Sequence, residues 1–93
     1  MQYEVYCEIV GKEVGLLKKK VEITIDFGQE KGWVESLTGE NPLKDTTGKI
    51  IKFNSMIDAL NHMSKQGWLF VNAYSITIKD TNIYHYVMRK VTT

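Results

Sequence analysis

The sequence has 93 residues but only one cysteine, Cys7, and one proline, Pro42. A lone cysteine excludes an internal disulfide, so packing, helped by self-association, has to stabilise the fold. The longest apolar run, residues 68–71, is far shorter than the roughly 20 residues of a membrane-spanning helix. The start of the chain also lacks the basic and then apolar order of a signal peptide. We therefore expect a cytoplasmic protein with no membrane partner.

The chain also carries little net charge. Twelve Lys and Arg residues oppose 11 Asp and Glu residues, which gives a formal net charge of +1. Residues 1–50 hold seven lysines and nine acidic residues, and residues 51–93 hold five basic and two acidic residues. Nucleic-acid binding normally depends on several clustered basic side chains, and the one basic run here is at 18–20. Nucleic acid is therefore not the partner we expect first.

Hydrophobic periodicity predicts four strands. Residues 3–9 and 21–27 alternate apolar and polar side chains, as half-buried strands do, and we expect them to form an antiparallel hairpin. Residues 68–78 and 83–91 predict a second hairpin with a turn at 79–82. The first half of the 68–78 stretch is apolar on both sides, which predicts a central strand covered on both faces.

One helix is predicted between the two hairpins, at residues 55–66. Asn54 or Ser55 can act as its N-cap, and Asp58, three residues after Ser55, stands at the position of the capping-box acid. Gly67 follows as a left-handed stop. The predicted buried stripe of the helix consists of Met56, Ile57, Leu60 and Met63.

The fold class that follows is α+β, an antiparallel sheet of about four strands in the order β-β-α-β-β with one helix packed on one face. We expect residues 1–93 to form a single domain, with a long irregular connection at 28–50 that carries the isolated Trp33. One helix covers one face of a sheet. If the other face holds Trp, Tyr and Ile side chains, then the connection, a second subunit or a ligand has to cover it.

The second half of the chain carries a combination of short motifs. These are Phe-Asn-Ser-Met-Ile-Asp-Ala-Leu-Asn-His-Met at 53–63, Gly-Trp at 67–68, Tyr-His-Tyr at 84–86 and Arg-Lys at 89–90. Over residues 53–90 the chain resembles small bacterial hypothetical proteins of unknown function, in which an Ala-Leu-Asn helix leads into a Gly-Trp strand. The piece Asp-Phe-Gly-Gln at 26–29 is similar as well. The resemblance implies a fold and no chemistry, and Leu69 stands where that group commonly has glutamate.

Candidate catalytic and metal-binding residues are few. Cys7 and His85 are the one pair that resembles a thiol nucleophile and its base, but the alternation places Cys7 on the core face, where thiols are usually inert. Asp58 and His62 lie one helical turn apart, which is a weak pattern for zinc because zinc usually takes three or four protein ligands. We expect no catalytic residue, no metal and no cofactor.

The aromatic residues are the stronger candidates for binding. The predicted function is a non-enzymatic protein-interaction or self-assembly module, with a homo-oligomer or another protein as the partner, because interfaces are enriched in aromatic residues. The alternative is a single-stranded nucleic-acid-binding module that stacks bases on the C-terminal aromatic and basic strand. An enzyme that uses Cys7 or His85 is the third reading. The candidate binding residues are Trp33, Trp68, Tyr74, Tyr84, Tyr86 and Arg89.

Overall fold

The computed structural model describes residues 1–17, 20–28 and 46–93. The described part of the chain has four strands and one helix, which are β1 (Tyr3–Val14), β2 (Lys20–Asp26), α1 (Met56–Lys65), β3 (Leu69–Ile78) and β4 (Thr81–Thr92). All neighbouring strands are antiparallel. This arrangement confirms the predicted α+β fold and its β-β-α-β-β order. The expectations for Trp33 and for most of the 28–50 connection lie outside the described residues.

The strand order in the sheet is β2-β1-β4-β3, so β1 and β4 are central and β2 and β3 form the edges. The prediction of a central strand at 68–78 is therefore wrong. All ten residues of β3 are exposed. β3 therefore carries apolar side chains on both faces, although neither face of the strand is buried.

The helix α1 begins as the sequence predicts. The backbone N–H of Asp58 donates to Ser55 Oγ at 3.1 Å, and the Asp58 carboxylate accepts from the backbone N–H of Asn54 at 2.9 Å. Ser55 and Gln66, the predicted ends, are the cap residues of the helix. The predicted buried stripe needs one correction, because Ile57 is 56% exposed and Ala59 is buried instead. The contact face follows positions 56, 59 and 63, and Ile57 is rotated about 100° away from Met56.

The core lies between α1 and one face of the sheet, here called the covered face. Met56, Ala59 and Met63 of α1 are buried against it. The strands contribute four buried residues, Cys7, Ile9, Ile25 and Met88. Residues opposite each other in neighbouring strands share a face, so the strand registers assign the other residues. The opposite face, here called the open face, carries Glu8, Tyr74, His85 and Arg89.

Gly11 lies inside β1, which continues to Val14, whereas the sequence predicts that the strand ends at Val10 and Gly11. It is buried within the strand, opposite Ile23 of β2. A Cβ atom at this position would collide with Met56 Sδ and would lie 2.8 Å from Val21 Cγ1. The absence of a side chain therefore lets α1 approach the sheet closely.

We expect Gly11→Ala to destabilise the protein by about 1–3 kcal/mol, because the added methyl overpacks the contacts with Val21 and Met56. Urea unfolding measures this cost. The control is the same substitution in a Met56→Ala background, where the space is larger and the cost has to be smaller. An equal cost in both backgrounds would contradict the close-approach role of Gly11.

The β3–β4 hairpin closes with a two-residue turn. Lys79 and Asp80 have φ values of 49° and 64°, the positive values that a tight hairpin turn of the primed type requires. At the other end of β3 the register with β4 shifts between Phe70 and Asn72. The regularly paired part of β3 is therefore residues 72–78, bounded by a bulge and a turn.

Candidate functional site

The structure divides the predicted binding residues between the two faces of the sheet. Trp68, Tyr84 and Tyr86 pack against the core on the covered face. Tyr74 and Arg89 lie on the open face. These five candidate residues therefore do not form one continuous stacking surface.

The aromatic residues on the covered face have partners within the protein. The Trp68 ring lies 5.9 Å from the Phe27 ring, centroid to centroid, and Lys90 Nζ lies 5.7 Å from the Trp68 centroid. The Tyr84 hydroxyl donates to the carboxylate of Glu13 at 3.2 Å. These are packing contacts between neighbouring elements, and they occupy the rings and the Lys90 cation that base stacking would need.

The open face carries a polar pair near the start of β1. Arg89 Nη1 lies 2.6 Å from Glu4 Oε1, and the Tyr6 hydroxyl donates to Glu4 Oε2 at 2.7 Å. The bonds from Tyr6 and Arg89 lower the pKa of Glu4, and the bond to the Glu4 carboxylate raises the pKa of Tyr6. Arg89, a predicted binding residue, is thus engaged with a carboxylate.

A second cluster on the open face joins three strands. The Tyr74 hydroxyl of β3 donates to Glu8 Oε1 of β1 at 2.8 Å, and the Tyr74 ring stacks on His85 of β4 with 4.5 Å between centroids and 3° between planes. His85 Nδ1 lies 3.4 Å from Glu8 Oε2, yet neither ring nitrogen forms a hydrogen bond. The cluster attaches the edge strand β3 to the centre of the sheet. Sequence reasoning missed Glu8, because only the strand register brings it to Tyr74.

The Tyr74–Glu8 bond predicts a selective titration effect. Hydrogen bonding to the Glu8 carboxylate raises the pKa of Tyr74, so Glu8→Gln should lower it towards its ordinary value. Tyrosine-specific NMR titration measures the change. The matched control is Glu4→Gln, which should lower the pKa of Tyr6 and leave that of Tyr74 in place. A Tyr74 titration unchanged by Glu8→Gln would contradict the cluster.

Cys7 and His85 do not form a nucleophile and base pair, because they lie on opposite faces of the sheet. Cys7 is buried on the covered face opposite Met88, whereas His85 belongs to the open-face cluster. Burial raises the pKa of the Cys7 thiol to about 11, so the thiol stays protonated near neutral pH.

We expect slow alkylation of Cys7 in the native state. A pKa of about 11 instead of 9.0 lowers the thiolate fraction near neutral pH about 100-fold, and burial restricts access further. Timed alkylation in buffer and in denaturant compares the two states. The raised pKa of Cys7 also predicts that the free energy of unfolding falls as the pH rises from 9 towards 11, because the thiol loses its proton at a lower pH in the unfolded chain than in the folded one. Equal alkylation rates in buffer and in denaturant would contradict the burial of Cys7.

Asp58 and His62, which form only a weak zinc pattern in the sequence, have other roles. The Asp58 side chain caps α1, and the His62 ring packs against Phe53 with 5.4 Å between centroids. Within residues 1–17, 20–28 and 46–93, no group of three or more metal-binding side chains occurs.

The outer edge of β3, with which no strand of the described residues pairs and which is here called the free edge, is the candidate functional site. Its ten residues contain no charged residue and no proline. It also belongs to a stretch of 13 residues, 66–78, without Asp, Glu, Lys, Arg or His. That stretch was visible in the sequence and is the signal that could have identified the edge. Six large apolar side chains of the strand are 43–53% exposed, namely Leu69, Phe70, Val71, Tyr74, Ile76 and Ile78.

The other edge of the sheet is different. Three of the seven residues of β2 are charged, namely Lys20, Glu22 and Asp26. Residues 50–53 also lie beside β2 and line with it a cleft of about 450 Å³. Charged side chains and covering segments are the devices by which proteins protect sheet edges. β2 has the charged side chains, and among the described residues of β3 the bulge between Phe70 and Asn72 is the protective feature present.

No protein-family model, no curated protein and no solved structure matches this chain. The resemblance of residues 53–90 to bacterial hypothetical proteins therefore stays a prediction. The described residues contain no helix long and apolar enough to cross a membrane.

Proposed function

We propose that this protein is a self-assembly module that associates through the free edge of β3. The observation that carries the proposal is the composition of that edge, which has ten exposed residues and no charge. An edge strand presents unpaired backbone N–H and C=O groups, and a long uncharged edge favours pairing with another strand. One quarter of the residues in the chain are charged, yet β3 has none of the charges that usually protect an edge from pairing.

The open face supports association at the edge rather than face to face. It carries the Glu4–Arg89 pair and the Glu8–Tyr74 hydrogen bond. A partner laid over this face would have to desolvate these charged groups, which is costly. A strand added beside β3 leaves them in water and buries apolar side chains at the edge.

The nucleic-acid alternative receives less support from the same geometry. Its rings lie on two faces, Arg89 is bound to Glu4, and Lys90 lies over Trp68. Single-strand binders combine a row of rings with basic groups that are free to meet phosphates. Here Arg89 and Lys90, the basic residues of the C-terminal strand, already have partners.

Ile76→Lys tests the proposal. Ile76 lies on β3 and is 45% exposed, so we expect the folded monomer to tolerate the change. A charge at the pairing edge should weaken self-association at least about tenfold, because the lysine would be desolvated without a partner. Native mass by light scattering, from about 1 µM to about 1 mM protein, measures the association.

Thr24→Lys is the matched control, because it adds the same charge to the open face of the other edge strand, β2. We expect this variant to associate like the unchanged protein. Circular dichroism verifies that both variants are folded. A protein that stays monomeric over the whole range, or equal association of the two variants, would overturn the proposed function.

A further inference from the structure

The regular part of β3 has a defined centre. Residues 72–78 lie between the bulge at Phe70/Asn72 and the turn at Lys79 and Asp80. Ser75 is the middle residue of this segment. Any symmetric pairing that uses the whole segment has its axis there.

We propose that two copies of the chain pair their β3 strands antiparallel, with a two-fold axis through Ser75, to form one sheet of eight strands. This inference rests on the proposed self-assembly and specifies its partner and register. Ser75 then faces Ser75 of the partner subunit. Residues on either side of the axis pair crosswise, so that Tyr74 faces the partner's Ile76.

The charge pattern identifies β3 itself as the matching strand. β1 carries Glu4, Glu8, Lys12 and Glu13, β2 carries Lys20, Glu22 and Asp26, and β4 carries Arg89 and Lys90. Each of these strands would bring charged side chains to an uncharged edge. Among the described strands, β3 is the one that can pair with β3 without placing a charge opposite an apolar residue.

The symmetry restricts the register. A two-fold axis between antiparallel strands is perpendicular to the sheet and maps the open face onto the open face. Residues opposite each other must therefore share a face, which allows shifts of two residues and excludes shifts of one. A shift by two in either direction shortens the regular overlap from seven residues to five. The axis at Ser75 retains the most backbone hydrogen bonds.

The pairing also completes an apolar contact on the open face. Tyr74 and Ile76 are 43% and 45% exposed in the single chain, and each would be covered by the other residue of the partner copy. Aromatic and β-branched residues form favourable cross-strand pairs. The bond to Glu8 and the stack on His85 already hold the Tyr74 ring, so less side-chain freedom is lost on pairing.

Disulfide trapping tests the register. Facing residues of antiparallel strands have Cα atoms about 4.5–5.5 Å apart, within the range of a disulfide. Ser75→Cys alone should form a covalent dimer under mild oxidation. Ala73→Cys alone and Thr77→Cys alone should not, because each cysteine is about 13 Å along the strand from its symmetric copy. An equal mixture of those two variants should form the mixed dimer, because residue 73 faces residue 77.

The unchanged protein, which retains buried Cys7, is the control for cross-links that do not involve β3. Ser75→Ala, measured by light scattering, verifies that position 75 tolerates substitution. A mixed disulfide between Ala73→Cys and Ser75→Cys chains, or between Ser75→Cys and Thr77→Cys chains, distinguished by mass from the Ser75→Cys homodimer, would overturn the axis at Ser75 while self-assembly through β3 stands. A dimeric mass with no cross-link from any of these positions would overturn both proposals, and so would a monomer at every concentration.

Discussion

The antiparallel pairing of β1 with β4 is the interaction on which the rest of this structure depends. The two strands pair over ten positions, from Tyr3 with Thr92 to Lys12 with Ile83. With these two strands in the centre, β2 and β3 have to lie at the edges, because each joins its neighbour through a short connection. The chain must then pass from one edge to the other between β2 and β3. The helix α1 lies along this route and contacts β1, β2 and β3, so it buries only one face of the sheet.

This topology leaves two edges whose chemistry differs. At β2, the charged side chains of Lys20, Glu22 and Asp26 hinder the approach of another strand. At β3 the side chains are uncharged and exposed on both faces. Because backbone pairing is available at any free edge, the side chains decide whether association occurs there. The contrast between the edges therefore favours association at β3 over association at β2. Two copies that pair through β3 about a two-fold axis use both of their β3 edges, so the assembly is a closed dimer and not a fibre.

Local sequence patterns are sufficient to predict the strands and the helix, but not the order of the strands within the sheet. Alternation predicted the four strands, and Ser55 with Asp58 predicted the start of the helix. The apolar residues on both sides of β3 predict burial from both faces, because buried central strands have the same pattern, yet β3 is an exposed edge strand. Alternation in β4 already separated Tyr84 and Tyr86 from His85 and Arg89. The contact of Tyr74 with Glu8, 66 positions apart, depends on strand register and has no local signature.

The polar groups of the open face explain why a second copy would add beside the sheet and not on top of it. Glu4, Arg89 and Glu8 keep their charges partly in water, and a covering partner would have to remove that water without supplying new partners. Strand addition at β3 removes little water from these groups, and it satisfies backbone groups and apolar side chains together. The Glu8 carboxylate also holds Tyr74 beside the edge. In the proposed pair, the charges would therefore protect the face and, through Tyr74, keep the edge ready for pairing.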